Sequence, residues 1–187
     1  MANDSPAQIR SLIDRLARLD AAEAWSGDLN PAQVAALSYL SRANRFSRSP
    51  SQVADYLGAT RGTTSQTLKV LERKGYLVEQ RSLSDRRSIS YSVSREGQAL
   101  VGEEAPIEAI LRCLDGTQTA ALEHTLREIL QALLDKRGGR AFGVCRTCRY
   151  HQKRGAGGFC TLLSEPLKEE ETTQICFEHK APQLAHN

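Results

Sequence analysis

The chain has 187 residues, 40% hydrophobic and 25% charged, with a formal net charge of +3 and a pI near 8.7. That length holds one ordinary domain plus a small appendage, and the near-average composition excludes a wholly disordered chain. No run approaches the ~20 apolar residues of a membrane-spanning helix and residues 1–19 lack the uninterrupted apolar core of a signal peptide, so a cytoplasmic protein is expected.

In chain order, Ile9, Leu12, Ile13, Leu16 and Leu19 follow the spacing of an amphipathic helix. One stripe this narrow needs another element or another subunit to cover it. Asn30-Pro31-Ala32-Gln33 predicts a helix start, with an Asn cap, Pro in the first turn and Gln at the third position. Val34, Leu37 and Leu40 form its inner stripe. Ser49-Pro50-Ser51-Gln52 repeats that logic as a capping box before Val53, Ala54 and Leu57. Gly58 ends this short helix, and Thr60 caps the next, which runs through Leu68, Val70 and Leu71 to Gly75.

The pattern then changes to β-branched and aromatic residues. Tyr76–Arg81 and Ser88–Val93, joined by the polar turn 82–87, predict a β-hairpin. From Ser94 to about Leu114 a helix is expected, bent near Pro106. Asp115-Gly116 interrupts it, and Thr117 is expected to cap a last helix with Leu122, Leu126, Ile129, Leu130, Leu133 and Leu134 on one face. Gly138-Gly139 closes that helix and opens the tail. No internal repeat or low-complexity segment is present.

Two short helices joined at Gly58-Ala59-Thr60-Arg61-Gly62, followed at once by a hairpin, make a winged helix-turn-helix. The fold class is therefore mainly α with a small β-hairpin wing (α+β). Residues 1–140 form the winged-helix and dimerisation domain, with the wing at about 76–94, and residues 141–187 form a Cys-rich extension. From Pro50 to Arg95 eight Lys/Arg face four acids, a local +4 that favours a polyanion partner. The second helix places Arg61, Thr63, Thr64, Ser65, Gln66 and Lys69 where base edges are read, and Arg86 and Arg87 at the hairpin tip suit phosphate or a narrow groove. A polar helix start and a charged turn are equally what a solvated face offers, so pattern alone leaves both readings open.

The residues become more specific over "TRGTTSQTLKVLERKGYLVEQRSLSDRRSISYSVSREGQAL". This run resembles the MarR family of bacterial regulators. It has Leu71-Glu72 before Lys74-Gly75, Asp85-Arg86-Arg87 in the wing, and Ser94-x2-Gly97 opening the next helix. "LNPAQVAALSYL" is similar to that family's second helix, and the resemblance covers roughly residues 5 to 137. It implies a winged-helix homodimer with interleaved terminal helices that binds double-stranded DNA at pseudo-palindromic operators, as a transcription regulator and most often a repressor. It also implies that Asp85 braces the wing and that Arg87 enters the minor groove. Ser94 stands where the family usually has Thr, and it still caps the helix. A homodimer is expected on physical grounds too, because one small core cannot bury both terminal stripes. The family often senses a small aromatic effector. Trp25, Tyr39 and Phe46 are candidates to line such a pocket, although isolated aromatics are more often plain core.

Four of the five cysteines crowd into the tail as Cys145-x2-Cys148-x11-Cys160-x15-Cys176. In a reducing compartment such a set favours metal ligation or redox sensing over disulfides. Four thiolates satisfy one metal centre, so Cys145, Cys148, Cys160 and Cys176 are the expected ligands. Zinc is slightly favoured over [4Fe–4S], although a single C-x2-C knuckle weakens the case for a zinc ribbon and widely spaced single cysteines also occur around such clusters. His151 and His179 are then bystanders or outer-sphere groups. The tail is too polar to fold by burial alone, and a metal would supply most of its stability. The flexible loop 154–158 allows Cys160 a tight approach. Its functional reading is a redox or metal sensor that shifts operator affinity; its bland reading is a zinc that merely pins the C-terminus, leaving the signal to a small molecule. Cys113, alone on its helix, reads as a small core residue.

An enzyme reading would take Cys145-x2-Cys148 as a dithiol oxidoreductase motif. That motif requires a βαβ setting and a helix opening at the first cysteine, and the surrounding residues offer neither. No P-loop, catalytic triad or paired carboxylate set stands out. The remaining alternative is a non-specific architectural or interaction protein.

Overall fold

The computed structural model of the chain describes residues 5–23, 28–81, 89–102 and 105–182. Helix α1 spans Ser5–Glu23, α2 Pro31–Arg42, α3 Pro50–Leu57 and α4 Arg61–Arg73. Strands β1 (Leu77–Arg81) and β2 (Ile89–Val93) follow, then α5 (Arg95–Leu100), α6 (Pro106–Leu111) and α7 (Gly116–Arg137). The tail holds β3 (Gly143–Val144), β4 (His151–Arg154), β5 (Gly157–Cys160), β6 (Glu165–Leu167), the short helix α8 (Glu169–Thr172) and β7 (Ile175–Cys176).

The predicted caps form as the side-chain chemistry requires. Asn30 Oδ1 accepts from Gln33 N at 3.0 Å while Asn30 N donates to Gln33 Oε1 at 3.1 Å. Ser49 and Gln52 make the same reciprocal pair at α3. Thr60 Oγ1 accepts from Thr63 N, and Gly58 closes α3 at φ 62, a conformation that glycine adopts without cost.

Two expectations are corrected. Asp115, not Thr117, caps α7: its carboxylate accepts from Thr117 N and Gln118 N at 2.8 Å each, and Gly116 is the first helical residue. The expected bent helix from Ser94 to Leu114 is two separate helices. Pro106 has no N–H and forces Ala105 out of the helical region (φ −65, ψ 139), so α6 starts afresh there.

The core lies where α2, α3, α4 and the hairpin meet. Leu29, Ala36, Leu37, Tyr39, Leu40, Val53, Leu68, Leu71, Leu77 and Tyr91 are buried in it. The hairpin is antiparallel, with Leu77 opposite Val93 and Arg81 opposite Ile89. Ser94 caps α5 by accepting from Gly97 N at 3.0 Å, while its hydroxyl donates to Gly75 O at 2.7 Å, which stitches α5 to the end of α4. The terminal helices behave differently. No residue of α1 or α7 is buried, and their apolar stripes lie bare, with Leu12 60% and Leu130 57% exposed.

The tail is a set of short antiparallel pairings. β3 pairs with β7, and β4, β5 and β6 form a three-stranded sheet. The expected flexible loop at 154–158 is corrected by this sheet: only residues 155–156 turn, while Gly157 and Gly158 lie within β5. A Cβ on Gly157 would sit 2.2 Å from Leu167 O, so the glycine is needed for close strand approach rather than for mobility. Among the described residues no helix is long and apolar enough to cross a membrane.

Candidate nucleic-acid interface and the thiol cluster

Helix α4 emerges from the Gly58 turn with its first three turns only partly committed to the core. Leu68 and Leu71 face inward, and Arg61, Thr63, Gln66 and Lys69 are exposed. Ser65 is half-buried. Thr64 is corrected: it is 3% exposed and packs inward, which removes it from the outer face. The Thr63 hydroxyl lies 2.9 Å from that of Thr60 and shares in the cap, whereas Arg61, Gln66 and Lys69 extend outward. The face is therefore narrower than the six residues expected. Asp85, Arg86 and Arg87 lie outside the described residues, as does Trp25.

The end of α4 is fixed by a contact that spacing did not point to. Lys74 Nζ pairs with Asp28 Oδ2 at 2.9 Å and Tyr76 OH donates to Asp28 Oδ1 at 3.2 Å, so the residues before α2 brace the junction between α4 and the hairpin. The ammonium of Lys74 holds the Asp28 carboxyl below its usual range.

Tyr39 and Phe46, the other candidate pocket aromatics, do different jobs. Tyr39 is buried, and its hydroxyl donates to Ser47 O at 2.7 Å. Its ring lies 4.3 Å from that of Tyr56 and 6.0 Å from that of Phe142, which in turn meets Phe177 at 5.4 Å. This aromatic run joins the winged helix to the tail. Phe46 packs against the cysteines. A cleft of about 930 Å³ between α7 and the tail is lined by Leu130, Leu134, Phe142, Phe177 and His179, among others.

The tail is seated on the turn between α2 and α3. Asn44 N donates to Ile175 O at 2.9 Å, and Phe177 N donates to Ser47 Oγ at 2.8 Å. Arg45 reaches both carboxylate oxygens of Glu171 at 2.5 Å and Pro166 O at 2.8 Å. Glu171 is only 5% exposed. Residues more than 120 positions apart thus interlock directly behind α3. Nothing in the local pattern of Asn44, Arg45 or Ser47 pointed to this, and Glu171 is not distinguished in the sequence from Glu169 and Glu170 beside it.

The four tail cysteines come together. Cys145, Cys160 and Cys176 are buried with Leu167 in one cluster, walled by Phe46, Tyr150 and Leu163, and Cys148 is half-buried beside them. All are free thiols. Burial pushes the Cys145 thiol up to about 12, and the other three sulfurs lie near enough to add to that shift. Burial likewise raises Cys176, opposed by the Asn44 side chain and a backbone N–H. As they stand, no group of three or more His, Cys, Asp or Glu among the described residues could hold a metal ion. The C-x2-C knuckle opens a single 3₁₀ turn, Cys145–Thr147, between two-residue and four-residue strands, which is not the long helix of a dithiol oxidoreductase. His179 lies 2.9 Å from Thr147 Oγ1 through Nε2, and burial lowers its pKa. Cys113 is corrected: it is exposed at the end of α6, not core.

Residues 27–88 match the family model described as "MarR family". A search of curated proteins found no match. Among solved structures, the chain is similar to Streptococcus pneumoniae FabT in complex with DNA at 22% identity and TM-score 0.57, over 72% of this chain and 99% of that one. It is similar to the S. aureus MepR–DNA complex at 20% identity and TM-score 0.55, over 66% and 96%. A MarR protein from Peptoclostridium difficile matches at 11% identity and TM-score 0.57, over 73% and 91%. Residues 27–88 are thus similar to the MarR family, and they sit within a winged helix-turn-helix fold like that of these solved structures.

Proposed function

We propose that the protein is a sequence-specific DNA-binding transcription regulator, most simply a repressor, rather than an enzyme. The observation that carries this reading is the outer face of α4. Arg61, Gln66 and Lys69 project from a short helix whose inner side is locked into the core, immediately after a glycine turn and before a hairpin. In this geometry the helix enters the major groove, where Arg suits guanine, Gln suits adenine and Lys69 meets phosphate. Thr63 and Ser65 flank these contacts. The family resemblance implies that Arg86 and Arg87, with Asp85, serve the adjacent backbone or minor groove; all three lie outside the described residues. FabT and MepR, each solved with DNA, share this fold.

The active species is a homodimer. A compact chain of 20.6 kDa exposes about 8,900 Å² of surface, whereas this chain exposes 13,399 Å², roughly half as much again. An obligate homodimer hides roughly 1,000–2,500 Å² per chain, so a dimer covers part of this excess, and the bare apolar stripes of α1 and α7 are the surface it would cover. A two-fold dimer sets two α4 helices on half-sites about 10 bp apart.

The signal enters through the tail. Because Asn44, Arg45 and Ser47 hold the tail behind α3, a change of state at the thiols bears on the recognition unit. Metal or redox state is the first reading. The second is a small-molecule effector in the cleft beside α7, with the tail purely structural. Selection of bound fragments from genomic DNA tests the main proposal. A recovered consensus with two inverted half-sites is expected, whereas sequence-independent recovery would leave only an architectural role.

A further inference from the structure

Of the buried side-chain atoms without a hydrogen-bond partner among the described residues, three of the four belong to residues that neighbour the tail cysteines. Asn44 Nδ2 belongs to a residue 1% exposed and lies toward the Cys176 sulfur. His151 Nε2 belongs to the residue directly across the sheet from Cys160. Gln174 Oε1 lies two residues before Cys176, on the residue whose carbonyl accepts from Cys145 N. Buried polar atoms normally find partners, and a local excess of orphans marks an unfilled role. Neutral thiols are poor acceptors, so the Asn44 Nδ2 donor is better satisfied by a Cys176 sulfur that is charged or metal-bound.

The backbone already converges on one point. The 3₁₀ turn brings Cys148 N to Cys145 O at 3.0 Å, and His151 N to Cys148 O at 3.0 Å starts the hairpin that returns Cys160. The β3–β7 pairing sets Gly143 opposite Cys176. Lys180 N donates to the Cys148 sulfur at 3.4 Å, an N–H···S contact of the kind that supports a bound thiolate. Leu167, with the partly buried Phe46, Tyr150 and Leu163, packs apolar surface against the cluster.

We propose that Cys145, Cys148, Cys160 and Cys176 are the four thiolate ligands of one soft-metal centre, a zinc ion or a [4Fe–4S] cluster, and that Asn44 of the winged-helix body donates to its Cys176 sulfur. Loading exchanges four S–H bonds for four metal–sulfur bonds and releases four protons to solvent. As they stand the four side chains do not form a metal-holding group, so loading requires them to reorient. Asn44 sits in the turn before α3, so an outer-sphere donor of the centre and the DNA-reading unit share one segment. This inference supplies the chemistry on which the sensing reading rests, and metal content is measured without DNA, so failure of operator binding leaves it intact.

The test uses the full chain purified without oxygen. Metal and acid-labile sulfide are quantified, and reactive thiols are titrated under native conditions before and after a strong chelator. We expect about one zinc per chain, or about four iron and four sulfide, with only the exposed Cys113 reactive until the chelator frees four more thiols. Cys160→Ser loses the metal and Cys113→Ser keeps it. Asn44→Ala weakens metal affinity on the order of 10- to 100-fold, as outer-sphere losses do. If Cys160→Ser fails to fold, the wild-type thiol titration and the Asn44→Ala affinity decide by themselves. A chain that binds neither zinc nor reconstituted cluster, with all five thiols reactive, overturns the proposal, as does full metal content in Cys160→Ser.

Discussion

Replacing Arg45 by alanine isolates the contact that seats the tail on the winged helix. In the native chain the Glu171 carboxylate is almost wholly buried and receives the guanidinium on both oxygens, plus Lys168 N at 2.8 Å. Without Arg45 one backbone donor remains for a buried anion. Breaking a fully buried pair costs ~3–5 kcal/mol, while exposed pairs are worth ~0.2–1 kcal/mol. The Arg45 side chain is 38% exposed, so solvent screens its half of the pair and the expected loss is about 2 kcal/mol. Arg45→Ala with Glu171→Gln removes the stranded charge as well, and should recover about half of that loss. Urea unfolding monitored through Tyr and Phe absorbance, alongside proteolysis of the tail, reads both effects. The tail should become protease-sensitive at urea concentrations where the body is still folded. A loss below about 0.5 kcal/mol, with no gain from the double variant, would refute the reasoning and make the pair a solvated surface contact.

Four further outcomes follow from other parts of the molecule. A Cβ at Gly97 would lie 2.3 Å from Tyr76 O and 2.9 Å from Val93 Cγ1. The carbonyl belongs to the backbone leading into β1, so Gly97→Ala should cost about 2 kcal/mol and lower the melting temperature by about 5 °C; an unchanged melting temperature contradicts that packing. Leu130→Glu places a charge on the bare α7 stripe. In an isolated chain it should change stability by less than about 0.5 kcal/mol, but in the proposed dimer it should raise the dissociation constant about 100-fold, measured by sedimentation. Arg87→Ala, at a position read from the sequence alone, should weaken operator binding about tenfold at moderate salt while leaving the dimer assembled. Acidification tests His179. Its folded pKa is depressed, so the unfolded chain binds its proton more readily. The neutral ring's contribution to tail docking is complete above pH 6.5 and declines as pH falls through that value toward the lowered folded pKa, which proteolysis of the tail at pH 7.5 and 5.5 would reveal.

The legible features were those decided by neighbours in the chain. Asn30, Ser49, Thr60 and Ser94 cap because each has a partner three residues on, and the hairpin follows from alternation in Ile89–Val93. The same locality misleads where two candidates stand together: Asp115 displaces Thr117 because its carboxylate reaches two amides at once. Gly157 and Gly158 read as a loop, since glycine reports permissiveness and not the strand contact that demands it. Thr64 follows the helical period inward, a phase that polar composition conceals. Cys113 read as core because thiols are usually buried, yet α6 leaves it outside. Least legible was the seating of the tail. Arg45 and Glu171, or Ser47 and Phe177, leave no periodic trace because loop closure over such separations carries no local signature. The cysteine spacing singled out four residues that the fold brings close together in the tail, since thiols sparse elsewhere and dense there are hard to attribute to packing alone.

The most direct test of the central claim is to compare wild type with Gln66→Ala on a selected operator and on a scrambled duplex of equal length, by fluorescence anisotropy at about 0.15 M salt. Gln66 is exposed on the outer face of α4 and clear of the core. A loss of about 1–3 kcal/mol is expected on the operator, with binding to the scrambled duplex unchanged, because a base contact carries specificity while phosphate contacts carry the rest. Equal affinity of wild type for the two duplexes, or the same change on both with Gln66→Ala, would contradict it.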